Sequence, residues 1–173
     1  MSTLKISFSK AAVVEAVKGD TYITSSIDRG ADNVKNAGIA YNEAAGDDAH
    51  HEKKIERLIK SSVSKFASEI SEFVDTASGS ITITIPTTST GDISIAMTVT
   101  GRYNSGLADP LSGIAFDYVV NMSLYGWWMS IKPELAKNFA ALATDALIYV
   151  RKCFAKTAPT ATASATSATG SVS

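Results

Sequence analysis

The stretch ADPLSGIAFDYVVNMSLYGWWMSIKPELAKNFAALATDALIYVRKCFA, residues 108–155, decides the fold because it encodes two long helices. Its apolar side chains recur at intervals of three and four residues, the period of an α-helix with one buried face. Asp109 followed by Pro110 is a strong helix start, since proline fits a position that needs no N–H donor. Pro133 disfavours helical backbone at Lys132, so one helix ends there and another begins. So short a link predicts two antiparallel neighbouring helices.

One part of this stretch also fits a strand. Apolar residues alternate over Ile114–Met122, and alternation is the period of a half-buried strand. The helical pattern extends further, from Leu111 to Met129. We therefore favour a helix and keep the strand as the alternative.

Two adjacent tryptophans, Trp127 and Trp128, lie just before the link. Adjacent residues of a helix point about 100 degrees apart, so we do not expect both rings in one core-facing stripe. One ring should pack inside, and the other should cover a shoulder of the domain or contact a partner. The alternative is that both rings close the end of the helix pair.

The segment SITITIPTTSTGDISIAMTVTG, residues 80–101, changes to a period of two and predicts a β-hairpin over residues 81–100. The hairpin has no charge except Asp92 at its turn, and strand edges of this kind recruit other chains. An isolated hairpin is only marginally stable. We expect a neighbouring subunit to cover it, whereas the alternative is that it packs on its own helices. The expected subunit-interface residues are Ile81, Ile83, Ile85, Ile93, Ile95 and Met97.

A third helical stripe runs through residues 47–76, with acidic residues at its start. Lys53, Arg57 and Lys60 are spaced at i, i+4 and i+7 within it, so they share one face of a helix. Such a face can contact DNA phosphates along a channel or an acidic partner. The alternative is a face that only water contacts.

The periodicity of apolar residues is weaker in the part of the chain before this helix, residues 9–46. Residues 9–18 predict a short helix that Ser9 caps and Gly19 stops. Residues 19–46 show no sustained period, and we expect irregular structure there with one helical turn around residues 32–41.

The final segment, TAPTATASATSATGSVS at residues 157–173, has no charge and little apolar surface. Such a segment cannot bury enough surface to order itself. We therefore divide the chain into a domain, residues 1–156, and a C-terminal arm, residues 157–173. We expect the arm to lie extended on a neighbouring subunit, with contacts that include Thr157, Pro159 and Val172.

The composition is that of a single globular domain: 173 residues, 45% hydrophobic and 19% charged, with a net charge of −1. The balanced charge argues against a dedicated nucleic-acid binder. Lys5 and Lys10 interrupt the N-terminal apolar residues, so we expect no signal peptide, and no apolar run is long enough to span a membrane. A single cysteine fits a reducing cytoplasmic compartment.

Residues that could carry chemistry are few. The densest cluster is DDAHHE, residues 47–52, but adjacent histidines point apart, whereas helical zinc sites place ligands at i and i+4. Cys153 lies on an apolar stripe, which is typical of a buried small residue. The sequence has no phosphate-binding loop, dinucleotide fingerprint or nucleophile elbow. We therefore expect no enzyme activity, no metal and no cofactor.

Three segments carry a resemblance to a known family, namely Ile81–Pro86, Tyr125–Trp128 and Pro133–Ala136. With the order of elements over residues 9–154, they resemble the head–tail connector or neck-ring proteins of short-tailed bacteriophages, including the crAss-like group. The resemblance implies a helical adaptor that docks beneath a portal in a ring of about twelve copies. It also implies that hairpins touch neighbouring subunits and that DNA passes through a central channel. It carries over no catalytic residues.

The sequence thus predicts a mainly α fold, an antiparallel helical bundle with one inserted β-hairpin and an extended C-terminal arm. The resemblance implies a virion structural protein, made in the bacterial host cytoplasm, that bridges portal and tail. It would bind further copies of the same chain, the portal and neighbouring neck or tail proteins. Its contact with DNA would be at most non-specific, and it would not contact membranes. The alternatives are another tail or capsid-associated protein, or a small host-directed binding module.

Overall fold

The computed structural model describes residues 2–27, 45–46, 49–74, 79–88, 90–99 and 105–155. This part of the chain is mainly helical, with four α-helices and one three-stranded antiparallel sheet. None of the described helices is both long and apolar enough to cross a bilayer. In chain order the elements are β1 (Ser2–Ser9), α1 (Lys10–Ile27), α2 (Ala49–Ile70), β2 (Ile81–Thr84), β3 (Asp92–Val99), α3 (Ala108–Trp128) and α4 (Pro133–Ala155).

Helices α3 and α4 confirm the two helices predicted for residues 108–155. Ile114–Met122 lie within α3, so the strand alternative is wrong. The link between the helices is a tight turn, in which the backbone N–H groups of Ile131 and Lys132 donate to the Trp128 carbonyl at 2.9 and 2.7 Å. These two helices pack against each other more extensively than any other pair of elements.

Helix α3 is surrounded by other elements, since it packs against α4, α2, β1 and α1. Its buried residues occupy more than one face, and the consecutive residues Tyr118, Val119 and Val120 are all buried. A helix that is apolar around its circumference is typical of one enclosed by protein. This environment explains why the sequence of α3 fits a helical and an alternating pattern at once.

The sheet has the strand order β1–β3–β2, so the predicted hairpin of β2 and β3 is part of a larger sheet. Strand β1 is not among the predicted elements. It pairs antiparallel with β3 and places Ile6 opposite Ile95. A third strand and a covering helix supply the support that an isolated hairpin lacks. The inner face of the β1–β3 pair is buried at Leu4, Ile6, Phe8, Ile93, Ile95, Met97 and Val99.

Helix α1 begins as expected and ends later than expected. Ser9 caps it, because its Oγ accepts a hydrogen bond from the Ala12 backbone N–H at 3.3 Å. The helix continues through Gly19 to Ile27, so the predicted stop at Gly19 is wrong. An interior glycine costs a helix about 1 kcal/mol relative to alanine. The burial of Val13 and Val17 on one face offsets that cost.

Helix α2 confirms the long helix predicted for residues 47–76, and it ends earlier than predicted, at Ile70. A 3₁₀ turn at Ser71–Phe73 follows it, and a second such turn, Ser105–Leu107, precedes α3. The buried stripe of α2 consists of Ile55, Ile59, Ser62, Val63, Phe66, Ala67 and Ile70.

Two predicted segments lie outside the described residues. One is most of the predicted irregular segment, residues 28–44. The other is the C-terminal arm with Thr157, Pro159 and Val172, because the description ends at residue 155. The expectations for both segments stay predictions.

Candidate functional site

The six predicted interface residues of the hairpin divide into two groups. Ile93, Ile95 and Met97 on β3 are at most 1% exposed and belong to the core of the chain itself. Strand β3 is central in the sheet because β1 covers one of its edges. These three residues are therefore core residues, which corrects the expectation that a neighbouring subunit contacts them.

The other three residues lie on or beside β2, at the edge of the sheet. Ile81 and Ile85 are half-buried against the core, whereas Ile83 is 39% exposed and Thr82 and Thr84 are also exposed. Strand β2 pairs with β3 on one side, and no described strand pairs with its outer side. We call this outer side, residues 81–84, the β2 edge. An edge strand presents backbone N–H and C=O groups that can pair with another chain.

The two edges of the sheet differ. At the β1 edge, α3 packs against the strand, and the Ser7 backbone N–H donates to Ser112 Oγ at 3.1 Å. Strand β1 also carries the exposed Lys5, and lysine opposes pairing at an edge. Strand β2 contains only isoleucine and threonine. Of the two edges, the β2 edge is the one suited to strand addition.

Lys10 fixes the loop between β2 and β3 to the rest of the domain. Its side chain is buried, and its Nζ donates to Glu56 Oε1 at 2.9 Å and to the carbonyl oxygens of Pro86 and Thr88, both at 3.0 Å. An ammonium group has three protons, so each has an acceptor. The Lys10 backbone N–H also donates to the Gly91 carbonyl at 3.1 Å. The first residue of α1 thereby holds the loop against α2 and positions β2.

No pattern in the sequence indicates this role of Lys10. In the sequence Lys10 only interrupts an apolar segment, and lysine is rarely fully buried. Its side-chain acceptors lie between 46 and 78 residues away along the chain, so no local pattern marks them.

The contact with Lys10 lowers the pKa of Glu56. The hydrogen bond from Lys10 is the main cause, and the positive charges of Lys10 and Lys60 lower the pKa further, while partial burial opposes them. Glu56 is therefore ionised at neutral pH, and the anchor of the loop is an ion pair.

The predicted basic residues Lys53, Arg57 and Lys60 are all exposed on α2, and we call them the basic face. None of the three forms an ion pair with a described residue. Beside them, burial lowers the pKa of Lys54, and the positive charge of Arg57 lowers it further. The Lys54 ammonium lies 4.1 Å from the centroid of the Trp127 ring.

The three glutamates of α2 are paired with cations from other helices. Helix α1 supplies two of these cations and α4 supplies the third. The pairs are Glu52 with Lys18 at 4.0 Å, Glu56 with Lys10 at 2.9 Å, and Glu69 with Arg151 at 3.4 Å. The ion pairs of these glutamates are thus made with other helices and not with the basic face.

Both tryptophans are buried, which corrects the expectation that one of them lies on a shoulder or contacts a partner. Trp127 is 1% exposed and Trp128 is 0% exposed. The reason is that α3 has neighbours on several sides, so residues 100 degrees apart can both face protein. The His51 ring packs edge-on against Trp127 at 5.2 Å between centroids. The alternative, in which both rings close the end of the helix pair, fits this burial.

The cluster DDAHHE is only partly described, because Asp47 and Asp48 lie outside the described residues. His51 Nδ1 accepts a hydrogen bond from the Gly46 backbone N–H at 2.9 Å, and Glu52 faces Lys18. Within the described ranges, no group of three His, Cys, Asp or Glu side chains could hold a metal ion. Cys153 is half-buried and packs against the core.

No protein-family model matches the chain, and neither a curated protein nor a solved structure is significantly similar to it.

Proposed function

We propose that this chain is a non-catalytic structural subunit of a ring at the head–tail junction of a short-tailed bacteriophage, where it bridges portal and tail and lets DNA pass. In this proposal the domain is an antiparallel helical adaptor, and the chain acts in about twelve copies within the virion. The resemblance at residues 81–86, 125–128 and 133–136 supplies the family. The β2 edge is the structural observation that carries the proposal.

A ring requires a contact between two different surfaces of the subunit. Pairing of one β2 edge with an identical β2 edge gives a two-fold dimer, whereas a head-to-tail contact can close into a ring. In the proposal the second surface is the C-terminal arm of the next subunit, residues 157–173. An uncharged, extended segment can add to an uncharged edge strand through backbone hydrogen bonds alone.

The position of the β2 edge supports this role. Ile81 and Ile85 pack against the core and Lys10 fixes the following loop, so the strand is held in place before any partner binds. Because the edge is already ordered, the entropic cost of binding a partner is smaller. The exposed Ile83 side chain would be covered in the same contact.

The test is a pair of variants with the same change in charge. Thr82→Lys/Thr84→Lys places two lysines on the exposed face of β2, and Asn138→Lys/Thr144→Lys places two at exposed positions of α4. We expect the β2 variant to lose the assembled species in light scattering and to keep the helical circular dichroism, while the α4 variant assembles normally. Assembly of the β2 variant to the same mass as the unchanged chain would reject the β2 edge as the contact.

A further inference from the structure

We propose that the basic face of α2, Lys53, Arg57 and Lys60, binds the phosphate backbone of DNA without reading its sequence. This inference rests on the proposed function, because DNA passing through the proposed ring would be the partner of this face. In the ring, the basic face would then line the channel.

The first observation is that the three exposed cations form no ion pair with a described residue. Among described residues, each glutamate of α2 pairs with a cation of α1 or α4, and no carboxylate pairs with Lys53, Arg57 or Lys60. Basic residues that only solubilise a helix are commonly paired with acids at i+3 or i+4 of the same helix. Glu56 occupies such a position, three residues after Lys53 and four before Lys60, but its ion pair is with Lys10 of α1. The three cations stay exposed together.

The hydroxyl groups beside the basic face are the second observation. Ser61 and Ser64 are exposed on α2, and each lies four residues, about one turn, after a basic residue: Ser61 follows Arg57 and Ser64 follows Lys60. Arginine, lysine and serine are the side chains that proteins commonly use to contact phosphate oxygens. The face therefore combines three cations with hydroxyl donors, and the one carboxylate beside it, Glu56, is paired with Lys10.

The spacing of the three cations along α2 fits the high charge density of duplex DNA. Seven residues separate Lys53 from Lys60, which is about 10 Å along a helix axis. Over that length double-stranded DNA carries about six phosphate charges. The face presents three cations over the length in which DNA presents about six phosphates, so charge complementarity favours the DNA backbone as the partner.

The experiment measures binding of the full chain to a short duplex DNA of mixed sequence by fluorescence anisotropy, as a function of salt. Three phosphate contacts predict a slope of about −2.7 in log K against log salt, or about a 40-fold loss of affinity between about 50 and 200 mM salt. Lys53→Gln/Arg57→Gln/Lys60→Gln should lose nearly all of this salt-dependent binding.

The matched control is Lys5→Gln/Lys137→Gln/Lys152→Gln, which removes the same charge from exposed residues of β1 and α4. It should bind DNA like the unchanged chain. Equal loss in both triple variants, no salt-dependent binding by the unchanged chain, or binding to polyglutamate in preference to DNA would each overturn the inference. The solution mass of the same samples separates the two proposals, because DNA binding by a chain that never assembles would contradict only the ring.

Discussion

Lys10 Nζ lies 2.9 Å from Glu56 Oε1, in an ion pair whose lysine side chain is 2% exposed and whose glutamate side chain is 41% exposed. The lysine ammonium also holds two carbonyl groups of the loop that joins β2 to β3. One buried cation thus connects α1, α2 and the loop. This connection fixes the position of the β2 edge, on which the proposed assembly depends.

Lys10→Met should destabilise the domain by about 1–3 kcal/mol, because it keeps the buried chain length but leaves two loop carbonyls and Glu56 without their donor. The measurement is the midpoint of urea unfolding. Lys5→Met at an exposed position of β1 is the control and should change the free energy of unfolding by less than about 0.5 kcal/mol. Equal effects of the two variants would show that Lys10 does not anchor the loop.

The Lys10–Glu56 pair should also make stability depend on pH. The pKa of Glu56 is lowered from its usual value of 4.5 in the folded chain, so its ionised form stabilises the fold above that pH. The contribution is lost as the pH falls through the lower folded pKa. The difference in unfolding free energy between the unchanged chain and Glu56→Gln should therefore shrink as the pH is lowered from neutral to below the folded pKa. Glu134→Gln, in an exposed pair with Lys137, controls for the general loss of charge. A difference that stays constant with pH would contradict the assignment.

The two isoleucines opposite each other in the hairpin should respond differently to truncation. Ile95 is fully buried and Ile83 is 39% exposed, although the two residues are paired across β2 and β3. Ile95→Ala should cost about 2–5 kcal/mol because it leaves a cavity in the core. Ile83→Ala should cost less than half as much in the isolated subunit. Urea unfolding of the two variants measures both costs, and equal costs would contradict the assignment of β3 to the core and β2 to the edge.

Two glycines of α3 provide a further matched pair. A Cβ added at Gly113 meets no atom within 4 Å, whereas one added at Gly126 would lie 2.5 Å from Leu58 Cδ2 on α2. Gly113→Ala should stabilise the chain by about 0.5–1 kcal/mol through helix propensity alone. Gly126→Ala should lose that gain, because Leu58 must move. A gain of the same size at both positions in thermal unfolding would show that α2 and α3 do not approach closely at Gly126.

The sequence predicts the helices of residues 108–155 well because proline marks both starts and because apolar residues recur along each helix. It does not predict β1. The alternation of Leu4, Ile6 and Phe8 is short, and its partner β3 is about ninety residues away along the chain, as in the pair Ile6 and Ile95. The alternation marks a buried face but does not indicate the partner strand, which is distant along the chain.

The sequence pattern also does not predict that both tryptophans are buried. On a helix with one buried face, only one of Trp127 and Trp128 can face the core. The number of neighbours around α3 follows only from the packing of the whole domain. The candidate site also combines features that the sequence indicates with features that depend on tertiary contacts. The exposed, uncharged strand β2 and the basic residues of α2 are visible in the sequence, whereas the anchor at Lys10 depends on contacts that only folding brings together.

The most direct test of the proposed ring is the solution mass of the full chain beside a truncation that ends at Lys156. We expect a large, discrete assembly for the full chain and a smaller mass for the truncation, because in the proposed ring the arm of one subunit binds the β2 edge of the next. A monomer in both samples would contradict self-assembly through these two surfaces.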